Sequence, residues 1–183
     1  GDAAGLLVAS EQAAEMLPPK RQPAQAQRLL TELAGLQPDG TTTMVQTLHD
    51  LAESIRESAL VTILSDCLFE PSELRSAVEH LNYRNHDVSL FHVMDEEELQ
   101  PSWNRPVRLD GMEGEESMLI DPDEIASGYE YAVREYLEEI ESLCHEAAVD
   151  YQRVMTSQST ESTLREFLSR RSAAGGAQSR GGR

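Results

Sequence analysis

The sequence offers few groups placed for chemistry, and the most prominent is the carboxylate of Asp66. It follows the β-rich run Leu60–Leu64, and α/β proteins bind ligands at the carboxyl ends of such strands. A second polar segment, Gly40–Thr42, precedes a stretch with helical apolar spacing. Asp66 can be a ligand residue or a turn cap, and Thr42 can be a ligand residue or a helix N-cap. The residue types alone do not decide between these roles.

Sequence patterns typical of enzymes are absent. The sequence has no Gly-x-Ser-x-Gly elbow, no Walker A loop, no Gly-x-Gly-x-x-Gly motif and no Asp-x-Asp at Asp66. Its five histidines and two cysteines show neither His-x-x-x-His nor Cys-x-x-Cys spacing, which argues against a zinc site. We therefore expect no enzymatic activity. The catalytic alternative is a hydrolase or phosphotransferase that uses Asp66 as nucleophile or metal ligand.

Charge and cysteine content narrow the partners and the compartment. The chain has 33 acidic and 15 basic residues, a formal net charge of -18 at pH 7, so its field repels phosphate backbones and argues against nucleic acid. The acidity serves solubility or binds a cationic partner. No apolar run is long enough for a transmembrane helix or a secretory signal. Cys67 and Cys144 are the only cysteines, which fits the reducing cytoplasm.

Short apolar runs alternate with amphipathic stretches along the chain. We predict strands at 5–9, 15–17, 60–64, 88–93 and 151–155, and helices at 22–36, from 43, at 70–81, at 122–148 and after 159. Two apolar pieces between Val107 and Ile120 flank the turn-forming segment Asp110–Gly114 and predict a hairpin. Parallel neighbours need long right-handed crossovers. The alternation therefore predicts an α/β fold with a doubly wound, mostly parallel sheet and an inserted β-hairpin.

Length predicts one domain with a tail. A chain of 183 residues is of usual size for a single domain. From Ser172 onward no apolar residue is larger than alanine, so we predict a domain over residues 1–171 and a disordered tail over 172–183. The first apolar run begins within a few residues of Gly1, which suggests a chain cut inside a domain.

Several stretches, read in order, resemble a bacterial family of unknown function with a von Willebrand factor A-like domain, the domain of unknown function fifty-eight. These stretches are Gly1–Val8, Met16–Arg21, Gly40–Thr42 with Leu48, Val61–Asp66, Val93–Leu99, Leu119–Pro122, Asp150–Tyr151 and Phe167–Arg171. The resemblance covers residues 1–171 and implies the C-terminal portion of such a domain, without its first central strand. In that family these domains are often associated with MoxR-type AAA+ ATPases.

The resemblance also implies half of a metal site. In the wider fold, an Asp-x-Ser-x-Ser motif, a threonine and an aspartate hold the metal, and their hard oxygen atoms suit Mg²⁺. Thr42 matches the threonine, with Thr41 as the alternative, and Asp66 matches the aspartate. No Asp-x-Ser-x-Ser occurs here; the nearest string, Asp87–Phe91, lacks the second serine. Either the motif lies upstream in the native protein or this homologue never bound metal. We expect that Mg²⁺ could bind the complete domain, and that nothing binds this fragment tightly.

The leading functional hypothesis is a non-catalytic protein-interaction module. As the resemblance implies, its complete form would bind a protein partner through a metal-ion-dependent adhesion-type site and be linked to a MoxR-type AAA+ ATPase. A metal-independent structural scaffold is the alternative. The missing strand should leave an apolar slot between the strands that begin at Gly5 and Leu60, or the sheet should close abnormally. Either outcome predicts low stability in isolation. The acidic run Asp95–Glu98 is a docking patch or a solvated face, and Tyr129, Tyr131 and Tyr136 suggest helix packing rather than a stacking platform.

Overall fold

A computed structural model describes residues 2–9, 15–37, 43–101, 105–109 and 117–178. The chain divides into two compact units, one comprising Gly1–Arg56 with Asp110–Ser117 and the other Glu57–Leu109 with Met118–Arg183. Thr41 and Thr42 lie outside the described residues. The predicted threonine ligand therefore stays a prediction.

The first unit contains a β-hairpin and two helices. Its elements are β1 (Ala4–Val8), β2 (Glu15–Lys20), α1 (Gln25–Gly35) and α2 (Met44–Ser54). The two strands are antiparallel, and they come so close at Gly5 that a Cβ there would lie 2.9 Å from the Leu17 carbonyl oxygen. Gln25 is buried and donates to the carbonyls of Ala4 at 2.8 Å and Pro18 at 3.1 Å. The first turn of α1 is thereby joined to both strands.

The second unit carries the parallel sheet. Its elements are β3 (Leu60–Ser65), α3 (Pro71–Tyr83), β4 (Asp87–Met94), α4 (Glu96–Leu99), β5 (Val107–Leu109), β6 (Met118–Ile120), α5 (Pro122–Glu146), β7 (Asp150–Met155) and α6 (Thr160–Gln178). Strands β3, β4 and β7 form a parallel sheet in that order. Strands β5 and β6 form an antiparallel pair that matches Val107 with Ile120. The predicted α/β class and the inserted hairpin are confirmed.

Helices flank this sheet, as the alternation of elements predicts. Side chains of a strand alternate between its two faces. On one face of β4 the Phe91 ring packs against the Phe167 ring of α6, with 4.9 Å between the ring centroids. On the same face Arg171 reaches the Ser89 hydroxyl at 3.4 Å. Helix α3 contacts β4 and α5, and α5 contacts β7. Strand β4 is therefore buried over nearly its whole length.

Strand β3 is buried on one face only. It has β4 as its sole strand partner within the described part of the chain, so it forms an edge of the sheet. Val61 and Ile63 are buried, whereas Leu60 and Leu64, which alternate with them, are 49% and 68% exposed. The division into a domain over 1–171 and a disordered tail stays a prediction.

Candidate functional site

Three loops follow the strands of the parallel sheet and meet at one edge of it, because parallel strands end on the same side. Asp66 is the first residue after β3, Asp95 the first after β4 and Thr156 the first after β7. The register matches Ser65 with His92 and Met94 with Met155. The sequence prediction for Asp66 is thus placed where α/β proteins bind their ligands.

The segment Asp66–Glu70, called here the Asp66 loop, is fixed through its carbonyl groups. The Tyr136 hydroxyl of α5 shares its one proton between the carbonyl of Cys67 and, at 2.8 Å, that of Phe69. Burial lowers the pKa of the His92 ring, and a hydrogen bond from the ring to the backbone of Asp66 offsets part of that lowering. Two side chains from two other elements therefore fix the path of the loop.

Short-range bonds occupy the amide groups of the same loop. The Cys67 amide donates to the Ser65 hydroxyl at 3.0 Å, and the Leu68 amide donates to Oδ1 of Asp66 at 3.3 Å. The Ser65 hydroxyl also lies 3.5 Å from that Oδ1. Cys67 adopts a φ of 59°, in the left-handed region that residues other than glycine seldom occupy. Asp66 thus caps its own turn through one carboxylate oxygen.

The second carboxylate oxygen of Asp66 takes no part in closing the turn. Asp66 is exposed, and among the described residues no hydrogen bond reaches its Oδ2. The turn-cap role that the sequence left open is therefore present in the structure, and it uses only half of the carboxylate.

A buried polar cluster lies beneath the Asp66 loop. His92 is only 1% exposed, and its Nδ1 lies 3.0 Å from the Tyr151 hydroxyl. Burial raises the pKa of both thiols, Cys67 and Cys144, to about 12, and burial raises that of Tyr136 to about 12 as well. All three groups are neutral at physiological pH. The thiols therefore lack the thiolate form that a cysteine nucleophile requires.

The loop after β4 uses its aspartate differently. Oδ1 of Asp95 accepts from the Glu97 amide at 3.0 Å, and Oδ2 accepts from the Thr156 hydroxyl at 2.6 Å. The Thr156 bond, and after it the Glu97 amide, lower the pKa of Asp95. The Tyr129 hydroxyl of α5 donates to the Glu98 carbonyl at 2.7 Å. The start of this acidic run is therefore an N-cap and a link between two loops.

The side-chain oxygen atoms around Asp66 would supply only some of the ligands that a metal ion needs. Asp66 and Ser65 place two oxygen-bearing side chains together, which is compatible with Mg²⁺ that keeps most of its water ligands. Within the described ranges, no three His, Cys, Asp or Glu side chains form a group that could enclose a metal. These residues alone do not make a closed metal site.

Sequence reasoning missed the two α5 tyrosines that hold the loops after β3 and β4: Tyr136 holds the Asp66 loop, and Tyr129 bonds Glu98. Tyr129 and Tyr136 fit the apolar stripe of the long helix, so they suggest packing alone. Their seven-residue spacing does place both on one helix face. That spacing is the one signal of a shared role, and it cannot show which carbonyl groups the hydroxyls reach.

Comparison with known proteins adds a family assignment. In the part of the chain that the structure describes, no helix has the length and apolar character needed to cross a membrane. No curated protein and no solved structure shows significant similarity to the chain. The family model described as a protein of unknown function, DUF58, matches residues 1–139. Since that match spans more than half of the sequence, the chain belongs to the DUF58 family.

Proposed function

We propose that this protein is a non-catalytic protein-interaction module that binds its partner through the carboxyl edge of the parallel sheet. The partner class implied by the family resemblance is a MoxR-type AAA+ ATPase, and the site of action is the cytoplasm, as the two free thiols suggest. The resemblance also suggests that the complete domain has a von Willebrand factor A-like form.

The observation that supports the proposal is that Asp66 presents an exposed carboxylate on an anchored loop. Its exposed carboxylate stands on a loop whose carbonyls accept hydrogen bonds from Tyr136 and His92, and Oδ2 takes no bond from any described residue. A group presented in a fixed geometry loses little freedom when it binds, which favours recognition. Burial raises the pKa of Cys67 and Cys144, which argues against a cysteine nucleophile in this site.

Mg²⁺ is the cofactor that this site would use in the complete domain. Asp66 would supply one oxygen ligand and Thr42, by the resemblance, another. The ion would keep water in its remaining positions and leave one for an acidic group of the partner. Asp66 would therefore bind the ion while its Oδ1 continues to close the turn.

Binding of a purified MoxR-type ATPase to the full-length protein, which contains the complete domain, tests the proposal when measured by biolayer interferometry. We expect Asp66→Asn to weaken binding at least about tenfold in Mg²⁺, because asparagine keeps the turn-capping oxygen but loses the charge. The matched control is Asp50→Asn, since Asp50 is also exposed and also accepts a local bond, from Gln46 at 2.8 Å. Addition of EDTA should reduce wild-type binding to the level of Asp66→Asn.

A metal-independent scaffold is the second candidate, and the Leu68 amide bond to Asp66 favours it, because that bond gives the carboxylate a purely structural role. If binding ignores both EDTA and Asp66→Asn, the metal-dependent proposal is wrong and the scaffold is preferred. If the ATPase does not bind at all, the proposed partner is wrong.

A further inference from the structure

The Asp66 loop presents a leucine between two acidic residues. Asp66, Leu68 and Glu70 are exposed, whereas the alternate residues Cys67 and Phe69 are buried and half-buried. Leu68 is 79% exposed, the highest value for any leucine in the described part of the chain. A single exposed leucine is common on protein surfaces and by itself indicates nothing. Its setting is what makes Leu68 informative.

The backbone around Leu68 is unusually well anchored for an exposed loop. The carbonyls of Cys67 and Phe69, on either side of it, both accept from Tyr136. The Leu68 amide donates to Asp66, and the Phe69 amide donates to the Cys67 carbonyl at 2.8 Å. A further hydrogen bond, from the Glu73 amide to the Glu70 carbonyl at 3.0 Å, joins the end of the loop to α3. Leu68 is therefore held outward by a backbone that has little freedom left to lose on binding.

We infer that Leu68 is the apolar anchor of the docking surface, and that it inserts into an apolar pocket with basic residues on its rim. This inference rests on the proposed function and names the chemistry of the partner's surface. The carboxylates of Asp66 and Glu70 flank the leucine, and the chain carries a net charge of -18, so a rim that is basic outside the one acidic group offered to the metal ion is complementary. A protein partner fits better than a lipid surface, because an anionic membrane would repel the same two carboxylates.

The Leu68→Ala variant tests the anchor in the ATPase-binding assay. Burial of a leucine side chain corresponds to at least about tenfold in affinity, so we expect a loss of about tenfold or more, with and without EDTA. Leu119→Ala is the matched control, because Leu119 is 75% exposed and lies on the inserted hairpin. It should change the affinity by less than about twofold. Both variants should melt at the wild-type temperature, since neither removes a buried group.

Tyr136→Phe separates positioning from stability. It should weaken binding of the wild-type loop several-fold, because the loop then samples other conformations. In the Leu68→Ala background the same change should have little further effect on affinity, although it destabilises the fold equally in both backgrounds. Additive losses of affinity would contradict a positioning role.

Each outcome of the assay supports or overturns the inference. If Leu68→Ala binds like the wild type, the anchor is wrong and the proposed function stands. If Leu68→Ala weakens binding while EDTA and Asp66→Asn do not, the anchor is supported and the metal-dependent proposal is wrong. If the wild-type protein does not bind, both are overturned.

Discussion

The loops after β3 and β4 begin alike in sequence, each with an aspartate directly after a strand. The carboxylates of these two aspartates nevertheless differ in their hydrogen bonds. Both carboxylate oxygens of Asp95 accept hydrogen bonds, from the Glu97 amide and the Thr156 hydroxyl. Asp66 uses only Oδ1, for its own turn. The Asp66 loop can spare an oxygen because Tyr136 and His92 fix its backbone instead. A carboxylate is available for binding where other groups carry the structural task.

The largest change in the stability of these two loops should come from Tyr136→Phe. The change leaves the carbonyls of Cys67 and Phe69 without their half-buried donor, which should cost about 1–3 kcal/mol of unfolding free energy. Hydrogen exchange should lose protection in the Asp66 loop and keep it in α4. Tyr129→Phe is the control, since its hydroxyl donates to the carbonyl of the exposed Glu98 in α4 and its loss should cost less. Equal loss of protection in both loops would contradict the division of roles.

A smaller effect should follow from Thr156→Val, which keeps the side-chain shape and removes the donor to Asp95. We expect a loss of about 0.5–1 kcal/mol in a urea titration, with faster exchange in α4 and unchanged exchange at Leu68. Faster exchange at Leu68 would show that the two loops are coupled more tightly than their hydrogen bonds indicate.

As the pH falls, the Asp66 loop should lose stability before the loop after β4. The loss should be smaller than that caused by Thr156→Val, because it comes from a single imidazole. Burial, the dominant cause, lowers the pKa of His92 below its ordinary 6.5. The unfolded chain therefore binds a proton that the folded chain refuses, so stability is full above pH 6.5 and falls as pH drops below it. The pKa of Asp95 is lowered from 3.8, so its contribution is present above that pH and is lost only below it.

Exchange protection, corrected for the intrinsic pH dependence, checks this order. Between pH 6.5 and pH 4 the Leu68 amide should lose protection while the Glu97 amide keeps it. His86, whose pKa is also lowered by burial, precedes the opposite end of β4, so it contributes to the global melt and not to the local difference. Simultaneous loss at both amides would contradict the assignment to His92.

The smallest effect on stability should come from Asp66→Asn. The amide keeps an oxygen that can accept from the Leu68 amide, so we expect a change below about 0.5 kcal/mol in thermal unfolding. A larger loss would show that the charge itself stabilises the turn, which favours the scaffold over the interaction module.

Much of the fold follows from local patterns, because alternating apolar runs and amphipathic stretches fix the type of each element. The long helix predicted at 122–148 is α5 (Pro122–Glu146), and the run 60–64 lies within β3 (Leu60–Ser65). The prediction of a hairpin between Val107 and Ile120 is confirmed for its two strands. The DUF58 match over residues 1–139 confirms the family, whereas the metal ligands and the partner stay predictions.

The sequence by itself determined that a carboxylate follows β3 at the edge where the parallel strands end, since strand type and connection length are local properties. Only the tertiary structure decided what that carboxylate is free to do. Tyr136 lies 70 positions beyond Asp66 in the printed sequence, and His92 belongs to the neighbouring strand. Hydrogen bonds between such distant residues depend on how the elements pack. The spacing of residues along the chain does not determine the distances between packed elements. The exposed oxygen of Asp66 and the fixed leucine beside it are consequences of that packing.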